Sequence, residues 1–170
     1  MSRTKTCAFI VLIAFAVGIA LVGDALAGEK FKTRTVYYTV KWEHIEIGDE
    51  EGHGVGVFEY NGIISNMEGK AFGDGWAVCA VGIYDMNPKT ETGSGLGYVE
   101  LTDRDGDKCY FRSDYKRAKG KPWQTEGKLT TPKGTGKYEG IKGGATWRSY
   151  PVAPKQSYMD HEWEVELPGR

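Results

Sequence analysis

The chain has 170 residues and a formal net charge of −1, with 24 glycines, 10 tyrosines and 5 tryptophans. A near-neutral balance with no basic run excludes a nucleic-acid partner and an anionic membrane surface. Abundant Gly, Tyr, Trp and Thr, with few long Leu/Ala/Glu stretches, points to strands and turns with little helix.

The N-terminus has the three zones of an export signal. Arg3 and Lys5 precede a charge-free apolar run from Ala8 to Val22, and Ala25-Leu26-Ala27 follows as a small-x-small cleavage site. The run is shorter than the about 18 residues a spanning helix needs. The expectation is a cleaved leader over 1–27 and one domain over 28–170, periplasmic or secreted, with no stable membrane insertion after cleavage. Cys7 leaves with the leader, so Cys79 and Cys109 are the two cysteines of the mature chain.

Strand-like segments follow, separated by Gly, Asp, Asn and Pro clusters. The first covers about Thr35 to Ile47, and its even positions Val36, Tyr38, Val40, Trp42 and His44 form a mostly apolar face. A polar loop, Gly48 to Gly52, leads to a second strand over about Gly54 to Ser65. A third runs from about Trp76 to Asp85, and Asn87-Pro88 opens what reads as a long Gly/Thr/Ser loop. Gly97 to Thr102 and Lys108 to Arg112 form a hairpin whose Asp105-Gly106 pair supplies the positive φ of a type I′ turn. A sixth strand over about Gln124 to Thr131 is ended by Pro132, and a seventh over about Gly144 to Tyr150 is ended by Pro151. In the eighth, Tyr158 to Leu167, Met159, His161, Trp163, Val165 and Leu167 share one face.

About eight strands with short connections and no crossover helix make an all-β fold, most economically a single antiparallel barrel of about eight strands, because closure removes the edges. A β-sandwich is the alternative. In a meander, Cys79 on strand three and Cys109 on strand five are separated by strand four, too far to bond. An exported chain with two cysteines favours a bond. Their redox state therefore tests the strand order.

The segment Gly134–Trp147 (GTGKYEGIKGGATW) is similar to a stretch found in bacterial barrels related to allene oxide cyclase and the dirigent proteins. Lys41 to His53, the Asp105-Gly106-Asp107 turn and the closing Glu164 to Pro168 also resemble that group. The resemblance implies an eight-stranded, calycin-like barrel. It does not imply the cyclase reaction, because no catalytic residue of the plant enzymes can be matched. The glycines themselves read as structural, since no helix follows to aim amides at a phosphate.

Chemistry could sit at one barrel mouth. Strands one and eight are neighbours, so His44 and His161 could converge there with His53, giving a catalytic pair, His44 and His161, or a three-histidine metal site. The spacing matches no ligand motif, so no metal and no cofactor is expected. Asp103, Asp105, Asp107 and Asp114 do not fit a calcium loop, because the glycine falls at the wrong position. A ligand cavity would be lined by Tyr38, Trp42, Tyr60, Trp76, Tyr84, Arg112, Trp147 and Trp163. Three functions follow: a barrel binding a small apolar or aromatic ligand, a cofactor-independent isomerase, cyclase or lyase, and a structural or homo-oligomeric barrel with a packed interior.

Overall fold

The computed structural model describes residues 28–68, 72–117, 120–121 and 124–168. The expected leader lies outside the described residues. Eight antiparallel strands run in chain order, β1 (Glu29–Glu46), β2 (Gly54–Asn66), β3 (Trp76–Asn87), β4 (Thr92–Thr102), β5 (Lys108–Arg117), β6 (Thr125–Gly134), β7 (Lys142–Ala153) and β8 (Gln156–Glu166). Each pairs with the next, and β8 closes on β1 from Glu29↔Val165 to Tyr38↔Gln156. The sheet is therefore a closed barrel, not a sandwich.

The strands run longer than the sequence pattern suggests. The expected loop after Pro88 is a short turn, and β4 already begins at Thr92. Pro132 and Pro151 do not end their strands. Both lie in or beside ladder irregularities, between Tyr110↔Lys133 and Arg112↔Thr130 and between Pro151 and Ala153, where a residue without an N–H is tolerated.

Alternation holds through β5 and β8 but breaks in β1. The register with β2 shifts between Thr39 and Lys41, and one extra residue reverses which side chains face inward. Before the bulge Phe31, Thr33, Thr35 and Tyr37 point into the barrel, while Val36, Tyr38 and Val40 are more than half exposed on its outer wall. After it, Trp42 and His44 turn toward the lumen. Val36, Ile63, Ile83 and Tyr98 also lie outside, so apolarity does not mark the inner face on this side.

One half of the interior is solid. Phe31, Phe72, Trp76, Phe111 and Trp163 meet with ring centroids 4.7–6.2 Å apart, and the Trp163 indole donates to the buried Thr33 hydroxyl at 2.8 Å. The glycine-rich segment closes this end. Its single 3-10 turn, Gly136–Tyr138, carries the buried Tyr138, whose hydroxyl donates to Asp103 at 3.0 Å. Asp103 also accepts from the amides of Asp105 and Asp107, both at 2.9 Å, and from Lys137 at 2.6 Å. Burial pushes its carboxyl up, but these donors outweigh that and hold it below the usual carboxylate range. The acidic run is thus a capped hairpin turn, as read from the sequence, but not of type I′: Gly106 takes a positive φ of 91° and Asp105 does not, and the Gly106 amide donates to the Asp103 carbonyl at 3.2 Å across Arg104 and Asp105. Gly136 sits at φ +52°, where a side chain would run into Asp107.

The cysteines fall as the meander requires. Cys79 faces outward on β3 and Cys109, fully buried, faces inward on β5, with β4 between them; both are free thiols. Burial raises both thiols, Cys109 to about 12. Thiol titration of unreduced residues 28–170 is expected to find two thiols, Cys109 reacting only after denaturation. A Cys79–Cys109 bond would contradict the strand order.

A cavity walled by aromatic rings

The other half of the barrel is hollow. A cavity of about 580 Å³ opens where β1 and β3 end and β8 begins. Its space comes from a repeated device. Four register pairs set a glycine opposite an aromatic residue: Gly56 with Tyr84, Phe58 with Gly82, Gly95 with Tyr115, and Gly127 with Trp147. In each pair the ring lies over the glycine, so that a Cβ there would collide with it, at 2.5 Å from the hydroxyl in the case of Gly56 and Tyr84. The rings thus lie along the wall instead of filling the lumen. Tyr84 reaches across β2 and donates to the Glu43 carbonyl on β1 at 2.8 Å. Tyr115 repeats this across β4, donating to the Ile83 carbonyl on β3 at 2.9 Å. Burial raises both phenols above their ordinary value, so they stay neutral donors.

The rim is a stack of rings. Trp42 lies against Tyr84 at 4.4 Å and 18°, and Tyr60 against Phe58 at 4.9 Å. The His44 Nδ1 is 3.1 Å from the Tyr84 hydroxyl. Since that hydroxyl already donates to Glu43, His44 is the donor.

His161 sits at the floor, stacked on Trp163 at 5.7 Å. It is 3 % exposed, and burial drives it down to about 4 against smaller upward pulls from Asp160 and the Met159 backbone. It is therefore neutral at physiological pH. His44 and His161 both line the cavity but do not converge. His161 pairs with Thr33 on β1, whereas His44 lies far beyond the last β1–β8 pair, Tyr38↔Gln156, on an arm that pairs with β2 alone. His53 is outside the cavity, held by Asp49 at 2.6 Å and Asp85 at 2.8 Å. Among the described residues no cluster of three or more His, Cys, Asp or Glu could hold a metal, and neither inward histidine is hydrogen-bonded to a carboxylate.

Of the residues expected to line a cavity, Trp42, Tyr60, Tyr84 and Trp147 do so. Tyr38 does not, because the bulge leaves it outside. Arg112 is on the outer wall, in a two-point pair with Asp114 at 2.9 and 3.0 Å. Trp76 and Trp163 belong to the packed half. Tyr37, Phe58 and Tyr115 line the cavity without having been picked out by sequence. A signal existed in the alternating Gly93, Gly95 and Gly97, which mark a strand passing beneath neighbouring side chains and not a loop.

The His53 contacts are testable. Asp85 and Asp49 raise its pKa, and the histidine in turn lowers that of Asp49. The tie is complete between about pH 4 and about pH 6.5, the ordinary values of the two groups. It weakens as pH rises through the raised value of His53, when one N–H is left for two carboxylates, and again as pH falls through the lowered value of Asp49. An NMR titration should place the His53 midpoint above 6.5, moving down in Asp85→Asn. A midpoint at or below 6.5 in the parent protein would contradict the contacts.

No protein-family model and no curated protein matches this sequence. Among solved structures, the pterocarpan synthase dirigent protein GePTS1 is similar over 81 % of this chain and 91 % of that one, at 14 % identity and a TM-score of 0.48.

Proposed function

We propose that this protein is a binding barrel that takes a small apolar or aromatic molecule into its open half. The cavity carries this reading: at about 580 Å³ it falls within the range of small-molecule pockets, roughly 300–1,000 Å³. Its wall offers ring faces, which favour a flat ligand. No Asp or Glu is among its lining residues. A structural barrel with a packed interior leaves this space unexplained, and a catalytic pair of histidines would need convergence that the two do not have. The leader-like sequence over 1–27 supports an encounter with the ligand outside the cytoplasm.

Native mass spectrometry of the protein purified from its own host tests both parts. The expected spectrum shows a chain lacking 27 residues and carrying a co-purifying small molecule. A full-length chain would overturn the export reading. A ligand-free chain that also binds no aromatic probe would overturn the binding reading.

A further inference from the structure

The cavity floor has two polar atoms that the protein does not use. The Trp147 Nε1 and the His161 Nδ1 are buried, and neither has a hydrogen-bond partner among the described residues. The two residues are direct cross-strand partners on β7 and β8, both are at least nine-tenths buried, and both line the cavity. Burying a polar group without a partner is costly. Two such groups side by side at the end of an apolar cavity form a site that a ligand atom can complete.

Their chemistry narrows that atom. The indole only donates, and a neutral imidazole nitrogen donates or accepts according to its tautomer. One ligand oxygen can meet both: a hydroxyl accepts from Trp147 and donates to His161, and a carbonyl accepts from both. A carboxylate is disfavoured, because the floor holds no cation and burying an uncompensated charge is costly. The cationic side chains of the wall, Arg117 and Lys155, belong to the end of β5 and the β7–β8 turn, Arg117 one inward position beyond Tyr115 in the row that leads through Gly127 to Trp147 and His161.

We infer that Trp147 and His161 form a polar clamp at the cavity floor that selects ligands whose leading end is an uncharged oxygen, a hydroxyl or a carbonyl, on an apolar ring system. This rests on the binding reading above and names the ligand class. Four of the aromatic rings already named, Phe58, Tyr60, Tyr84 and Trp42, would hold the ring system while the clamp fixes its end.

The test compares naphthalene, 2-naphthol and 2-naphthoate by calorimetric or fluorescence titration of the intact protein. The expected order is 2-naphthol at least about fivefold tighter than naphthalene, the low end for two added hydrogen bonds, about 1 kcal/mol together. Naphthoate should bind no better than naphthalene. In His161→Phe, which keeps a ring stacked on Trp163, and separately in Trp147→Phe, the ratio of naphthol to naphthalene affinity should shrink. The His161→Phe variant removes a buried polar atom, so folding should survive it, and a melting curve on each variant checks this. Naphthol binding no tighter than naphthalene, naphthoate matching naphthol, or an unchanged preference in both variants would overturn the clamp alone. Binding of none of the three would overturn the binding reading with it.

Discussion

Trp163→Ala is expected to lower the free energy of unfolding by about 3–5 kcal/mol, the usual range for deleting a buried indole. Trp163 is 3 % exposed, lies among Phe31, Phe72 and Phe111, and donates to Thr33. Its loss leaves a void in the solid half and strands a buried hydroxyl. Trp42→Ala should behave in the opposite way. Trp42 is 49 % exposed at the rim, so stability should fall by less than about 1 kcal/mol, while affinity for an aromatic probe should drop. Urea denaturation and probe titration on the pair separate the two halves of the barrel. Equal stability losses would contradict the division.

Asp103→Ala is expected to cost about 3 kcal/mol. Its carboxylate gathers two turn amides, the Tyr138 hydroxyl and the Lys137 ammonium in a side chain only 3 % exposed, and hydrogen bonds to a buried charge are individually worth about 1.5–3 kcal/mol. Removing it frees the glycine-rich segment from the β4–β5 hairpin at the closed end of the barrel. Asp105 also meets Lys137 at 2.6 Å, but its side chain is 76 % exposed, so Asp105→Ala should cost less than about 1 kcal/mol. The Asp103 contribution is present above the ordinary carboxylate pKa of about 4 and is lost as pH falls through its lowered value. A loss for Asp103→Ala no larger than that for Asp105→Ala would show that the carboxylate is not the tie.

Much of this architecture was legible in residue order. Strand alternation, the Asp105-Gly106 turn and the lack of a crossover helix lead to a closed meander, and β8 carries its inward set Met159, His161, Trp163 and Val165 as read. The errors have local causes. A bulge near Val40 cannot be seen in a period-two pattern that stays apolar on both sides of it, so Tyr38 was placed inside. Arg112 faces outward because β5 keeps strict alternation from Cys109 to Arg117, which sets Cys109, Phe111 and Ser113 inward. The cavity was harder to foresee. It depends on each of four rings meeting a glycine on an adjacent strand, and such a pairing exists only once the register is known. The separation of His44 from His161 likewise depends on how far β1 overruns the start of β8, a length set by strand ends that the alternation does not mark.

The most direct test of the hollow half is saturable binding of naphthalene or 2-naphthol to the parent protein and to Ala80→Phe. Ala80 lines the cavity, and its β2 and β4 register partners are Tyr60 and Val99, so the new ring enters the lumen. Binding at one site per chain, lost in Ala80→Phe with a melting transition that stays cooperative, is the predicted result. Binding that is absent in the parent protein, or unchanged by Ala80→Phe, would contradict a ligand cavity in this barrel.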